Sequence, residues 1–509
     1  MLIHHGSDGK QAFRRLEFRW VKGKKRSRIG TVNTRSNTMY ICLVLSGLLF
    51  AYMMGIRIGL FHPGADLKPP SPAQFSENES WFNIYQEDRK IGFSHRKLSN
   101  LDMGFLLTEE TRMRLNTMGM VHTLQLTTRA TLGADLRLMT ISFSLSSHRF
   151  FFQASGELKG NTLIVSVNGR DIRIPAAEPL YLSAVALDAA NLHDLKVGQD
   201  THLSIFDPSS LGRRTIRVTP VGREKVRMMG RDIDALKLEV EVSGARMNAW
   251  VDKAGRIIQE SGLLGFVLKQ VPRESAMNGL PLRASRDLTR LVSVPAGKSL
   301  DDPQRLSRLK IGVDAAAEAL FMNGDRQIYA GGVLTIQRER LPDPKVLDVS
   351  GMQAELSAEP LIEATHPEIV NLSAHITAGE DRPLAKARRL VSWVYANIEK
   401  RPVISVPSAL ETLKYRQGDC NEHAVLLAAL ARAAGIPAQV EVGLVYLNGR
   451  FYYHAWNVLY LGSWITADAL MNQLPADVTH LRLMRGGLSR QVDLMGVIGN
   501  ISLTMLEAV

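Results

Sequence analysis

The chain has 509 residues, 45% of them hydrophobic and 22% charged, which reads as ordinary globular protein with room for two to four domains. The net charge of +12 is misleading, because residues 1–37 hold ten Lys/Arg against two Asp/Glu and the rest of the chain carries only +4. That distribution removes the support for a nucleic-acid-binding protein, and no phosphate loop or dinucleotide fingerprint appears.

The basic head (1–37) runs into Met39–Ile56, eighteen residues without a charge, so 38–61 reads as a single membrane helix. The positive-inside rule then puts the N-terminus in the cytoplasm and the bulk of the chain beyond the inner membrane, periplasmic or extracellular. A cleaved signal peptide is the rival reading, and a start at Met39 would remove the head. Cys42 falls in the apolar run and reads as a bland apolar residue. Residues 62–80 form a proline-rich, extended linker with Pro69, Pro70 and Pro72.

From 81 to 290 the pattern is strand-like. Apolar and polar residues alternate in Met118–Ala130 and Leu138–Leu145, and Thr162–Val167 ends at an Asn168-Gly169 turn. The expectation is a large antiparallel sheet able to wrap a helix or a partner, with a helical insertion over Tyr181–Leu195. His95, His122 and His148 are scattered and read as surface or packing residues. Residues 291–365 read as a connector or an extension of the β-rich domain, with a strand over Gly332–Arg338. A C-terminal strand segment (486–509) closes the chain.

At Pro367 the period changes. Leu384, Ala387, Val391, Val394 and Ile398 recur at helical spacing, and a short helix over Ser408–Lys414 leads to Gly418-Asp419-Cys420-Asn421-Glu422-His423. Cys420 is the one cysteine outside the apolar anchor, so no intramolecular disulfide is expected, and a lone thiol in an oxidising compartment argues for a functional reason. The helix it opens runs to about Ala434, stopped by Gly435 and Pro437, and the positive end of its dipole is expected to favour thiolate. Ala438–Tyr446 and Phe451–Tyr460 make a hairpin around Asn448-Gly449, and Trp464–Asp468 is a third strand. His454 and Asp468 can then face the Cys420 helix from adjacent strands. Cysteine, histidine and carboxylate in that order suggest thiol catalysis: Cys420 as nucleophile, His454 as general base and then acid, Asp468 as orienter. The Cys420 backbone N–H is the first oxyanion donor, and Gln417 and Trp393 are candidates for the second. Trp456 is expected to shield the ion pair or to line the substrate groove. Asp419 and Glu422 read as capping or loop-shaping residues, and His423 as surface geometry. The spacing of Cys420, His423, His454 and Asp468 matches no structural zinc pattern, so neither metal nor cofactor is expected.

The ordered blocks Gly418-Asp419-Cys420, Gly435-Ile436-Pro437-Ala438, His454-Ala455-Trp456, Asp468 and Ala476–Leu481 resemble the transglutaminase-like superfamily over 366–485. One departure is Ala469, where the family often has proline. The resemblance implies an α+β catalytic domain with a papain-like core, the cysteine at a helix N-terminus against an antiparallel sheet. It also implies that the preceding β-rich region belongs to a common bacterial arrangement. The expected reaction is acyl transfer on a peptide or isopeptide amide of the envelope. Water as acceptor, the default, makes a cysteine peptidase or amidase, and an amine makes a transglutaminase. A cell-wall peptide is a further candidate substrate. The alternative is a catalytically silent member of the superfamily acting as an envelope binding or scaffold protein.

Overall fold

The computed structural model describes residues 77–509 apart from 149, 168, 190–195, 209, 243–244, 280–281, 292, 315–322, 404–405 and 487–500. The basic head, the apolar segment 38–61 and nearly all of the linker lie outside the described residues. Among those described, no helix is long and apolar enough to cross a membrane.

Fifteen of the described strands, from Asn78–Gln86 to Phe266–Val271, form one sheet. The first eight are successive antiparallel neighbours out to Arg170–Pro175, and the strands from Thr201–Asp207 onward form a second meander. The two join where the first strand pairs antiparallel with the last, Trp81 opposite Val271 and Gln86 opposite Phe266. The period-2 pattern is the cause of burial on one face: Thr162–Val167 buries Leu163, Val165 and Val167 and turns the alternate residues outward. In the expected helical insertion, Leu180–Leu182 is a strand, parallel to Thr201–Asp207, and among the described residues Ser183–Ala189 is helical, while 190–195 lie outside them. That helix buries Ala184, Val185, Ala186, Leu187 and Ala189 in the same core as Phe82, Leu107 and Leu238. Leu361 and Val406, from the C-terminal half, belong to this core too, so the two halves share a packed boundary.

Asp188 on this helix carries a consequence for stability. Burial raises its carboxyl to about 7, against the pull of Arg96, and Glu260 beside it is also raised by burial. Between its ordinary value near 3.8 and 7 the folded chain holds a proton that the unfolded chain has lost, so this contribution to stability falls as pH rises through that window. Asp188→Asn is expected to gain on the wild type between pH 5 and pH 8, by at most about 3 kcal/mol, because only about two units of the shift lie above pH 5. Urea midpoints at the two pH values measure it; an equal wild-type-to-variant difference at both would rule out the buried carboxyl.

Within 291–365 the strands pack against the C-terminal domain and not on the fifteen-stranded sheet. Val294–Pro295 pairs with Arg450–Tyr460. Arg308–Val313 is flanked by Val333–Gln337 and by Leu503–Ala508 at the other end of the sequence, with Gln327–Ala330 outside. Leu309, Ile311, Leu334, Ile336, Leu503 and Met505 enter one core with the helix Cys420–Ala433. This helix is mostly apolar and buried all round, with every residue from Glu422 to Arg432 out of solvent. Helices Pro367–Ile376, Pro383–Asn397 and Ala409–Tyr415 pack on it from one side, and the hairpin Ala438–Leu447/Arg450–Tyr460 from the other. It stops at Gly435 (φ +78°) in a Schellman motif, with Ile436 N–H bonded to Ala431 O at 2.9 Å. Asn448 and Gly449, both at positive φ, turn the hairpin.

Candidate active site

Cys420 is the first residue of its helix, and the chain before it is held from several directions. Asp419 Oδ1 accepts the Asn421 N–H at 3.0 Å, and Glu422 Oε2 accepts the Asp419 N–H at 2.9 Å, a complete capping box. Gln417–Gly418 pairs in parallel with Glu399–Lys400. A Cβ on Gly418 would meet the Glu422 Cβ at 2.3 Å, so only glycine lets the loop fold onto the first turn. The thiol is therefore presented by a rigid element, half-buried, with the Ala455 N–H donating to its sulfur.

Ala455 follows His454 on the strand Arg450–Tyr460, and this contact brings the nucleophile candidate to the strand of the base candidate. His454 Nε2 lies 2.6 Å from Asp468 Oδ2, both residues buried. Asp468 stands just past the strand Trp464–Ala467, with its N–H bonded to Gln473 O and its Oδ1 accepting the Met471 N–H at 3.0 Å. The order Cys, His, Asp in sequence thus becomes a helix start, a central strand and a strand end in space.

Residues 370–469, which include all three, match the model of the transglutaminase-like superfamily. This part of the chain is a transglutaminase-like domain. No curated protein matches the chain. Among solved structures, it is similar to a candidate cysteine protease from Cytophaga hutchinsonii (17% identity, 40% of this chain and 85% of that one, TM-score 0.27). It is also similar to a β-barrel-like protein of a domain of unknown function from Brucella abortus (11%, 38% and 95%, 0.32). A third is the periplasmic domain of TgpA from Pseudomonas aeruginosa (16%, 36% and 93%, 0.24).

Beyond its match, the transglutaminase-like domain carries a site residue that sequence reasoning did not single out. His480, fully buried, places Nε2 3.0 Å from the same Asp468 Oδ2, and its Nδ1 faces Asp477 Oδ1 at 3.3 Å. Asp477 is fixed in turn by Thr479 and Gln473. Burial alone would raise Asp468; the charges and hydrogen bonds of His454 and His480 outweigh it and hold the carboxyl well below the usual carboxylate range. Burial would lower His480, but its bonds to Asp468 and Asp477 prevail and lift it to about 9. The only sequence signal was the block Ala476–Leu481, quoted above for its likeness to the family and not for its histidine. The stretch 291–365 supports this network: Glu339 Oε1 accepts the Thr466 N–H at 2.9 Å, and Arg326 bridges Glu339, Ala476 O and His480 O.

His454, Asp468 and His480 also bring three ligand atoms within 4.8 Å. Tetrahedral ligation at 2.0–2.1 Å would set those atoms about 3.3 Å apart. Contacts of 2.6 and 3.0 Å are instead those of shared protons.

Other expectations need correction. Of the two roles expected for Trp456, the position is that of a shield and not of a groove wall: it is 1% exposed, its indole N–H donates to Glu441 Oε2 at 2.8 Å, and its ring packs against both His454 and His480. His423 is not surface geometry but 1% exposed, with Nδ1 2.7 Å from Asp419 O, because its helix is buried on every side. The thiolate favoured by the helix dipole is opposed: burial first, then Asp419, push the Cys420 thiol well up, while the Ala455 N–H pulls the other way. Gln417 is buried and its Oε1 accepts from Arg401 Nη1 at 3.4 Å. Trp393 stacks under the Arg416 guanidinium. Tyr453, whose hydroxyl donates to Asn421 Oδ1 at 3.4 Å, stands close enough to the thiol to feel its charge.

Proposed function

We propose that this chain is a cysteine acyl-transfer enzyme of the cell envelope, acting on peptide or isopeptide amides through Cys420, His454 and Asp468. The observation that carries the reading is the buried 2.6 Å bond between His454 and Asp468 on the strand whose Ala455 N–H meets the Cys420 sulfur. His454 Nε2 is committed to Asp468, which leaves Nδ1 to take the thiol proton. With the thiol held up, that transfer accompanies attack: sulfur bonds to the carbonyl carbon as the proton moves to His454. The oxyanion sits at the Cys420 N–H, the C–N bond breaks, and His454 returns the proton to the leaving amine. Water, deprotonated by His454, then cleaves the thioester and the proton goes back to sulfur. The envelope location rests on the basic head and the apolar segment 38–61 of the sequence.

The test is labelling of the full-length protein with a peptidyl chloromethyl ketone, located by mass spectrometry so that Cys42 and Cys420 are distinguished. Labelling at Cys420 is expected, slowed 10²-fold or more by His454→Ala, within the range of about 10²–10⁴ for a positioned base. Simple alkylation by iodoacetamide should titrate above the ordinary thiol value of about 8.5 in both proteins. Equal peptide labelling with and without His454 would sink the assembled triad and favour the silent binding protein. Added primary amine, read as amide product against acid product, separates transfer from hydrolysis.

A further inference from the structure

A cavity of about 280 Å³ lies where the fifteen-stranded sheet meets the transglutaminase-like domain. His122, Ser147, His148 and Phe150 of the sheet form one wall, and Arg401 and Gln417 stand on the other. Gln417 precedes Cys420 by three residues, so their Cα atoms are at most about 11 Å apart. The cavity therefore adjoins the loop that presents the thiol, and it is built jointly by both halves of the chain. Phe150, edge-on to Tyr415 with ring centres 5.3 Å apart, fixes this junction.

Two polar atoms in its wall lack a hydrogen-bond partner. They are His122 Nε2 and Ser147 Oγ, in residues only 9% and 2% exposed. Buried polar groups in folded proteins are almost always satisfied, and two orphans in one cavity mark a place where something else supplies the partner. The charge around them indicates what. No carboxylate lines the cavity, Arg401 stands exposed at its rim, and among the described residues Arg401 makes no ion pair. Asp419, the carboxylate that His122 feels, is committed to capping the Cys420 helix.

We infer that this cavity is a subsite for a carboxylate of an acidic peptide substrate, paired with Arg401 at the mouth and hydrogen-bonded by Ser147 and His122 within. The inference rests on Cys420 as the nucleophile and adds the class of substrate presented to it. A guanidinium fork with neutral donors behind it suits a carboxylate and rejects the isosteric amide, which cannot pair with the charge.

The experiment measures calorimetric binding to full-length Cys420→Ser. The ligands are acetylated, amidated five-residue alanine peptides with one Glu moved through each position, beside the same set with Gln. At one or more positions the Glu peptide should bind at least about 10-fold tighter than its Gln counterpart, or 1.4 kcal/mol. Arg401→Gln should cancel the preference, and Ser147→Ala should weaken the Glu peptide several-fold. Arg401 is exposed, so its replacement leaves the core alone, and a melting curve checks this. Equal binding of Glu and Gln peptides at every position, no binding of any peptide, or a preference untouched by Arg401→Gln overturns the inference. Its failure is separable from failure of the enzyme reading. A carboxylate preference without labelling of wild-type Cys420 keeps the subsite and removes the enzyme; labelling without the preference does the reverse.

Discussion

Asp468→Asn is expected to lower peptide turnover by about 10³–10⁴-fold and to cost about 3–5 kcal/mol of stability. One oxygen, Oδ2, accepts from both His454 and His480 while Oδ1 holds the Met471 N–H. An asparagine sets its NH2 either against the Met471 N–H or against both imidazoles, donor to donor in each case, and it removes the negative charge that both rings share, so His454 loses the anchored partner that orients it. The pH dependence has a definite sign on each side. Asp468 is depressed in the fold, so its contribution is present above the ordinary carboxylate range and is lost as pH falls through the acid values where it finally protonates. His480 is raised to about 9, so its contribution is full below its ordinary value near 6.5 and is lost as pH rises through 9. The wild type should therefore exceed the variant most between about pH 5 and 7, with the gap closing in acid and in alkali. Chemical denaturation across that range measures it. A constant gap would mean that the carboxylate is not the partner of both rings.

Cys420→Ser should abolish turnover, by at least about 10³-fold, while leaving the fold intact. Oxygen for sulfur at the first position of a capped helix changes little packing: the capping box belongs to Asp419 and Glu422, and the core behind it to Leu426, Leu427 and Leu430. An alkoxide is also far harder to form than a thiolate, and here even the thiol is held up by burial. Parallel measurements of melting temperature and of release of amine from a peptide amide test the pair of claims. Retained turnover with an unchanged fold would remove Cys420 from the chemistry.

Local features were legible because their causes are local. The helix from Cys420 is announced by an apolar run between Asp419 and Gly435, and the structure uses both as the caps. The hairpin around Asn448-Gly449 follows from two residues that accept positive φ. The alternation of Thr162–Val167 survives as a buried face. Misreadings arose where the environment is supplied from far along the chain. Trp456 reads equally as a shield or a groove residue until Glu441 and the two imidazoles enclose it, and His423 looks exposed until three helices and a sheet cover its own helix.

The sequence by itself determined which residue types meet: a helix that starts at a cysteine, a hairpin that carries a histidine, and a following strand that ends in a carboxylate. Spacing, caps and turn residues act within a few positions, so they can be read in order. Only the tertiary structure decided that Asp468 is shared with His480, that Arg326 and Glu339 brace both, and that Arg308–Val313 pairs with Leu503–Ala508. It alone put His122 and Ser147 into the wall that faces Gln417. These are contacts between distant segments, and they are set by which apolar faces must be buried against one another. The same burial gives the site its electrostatics, because the removal of water displaces Asp468, His480 and the Cys420 thiol from their ordinary values.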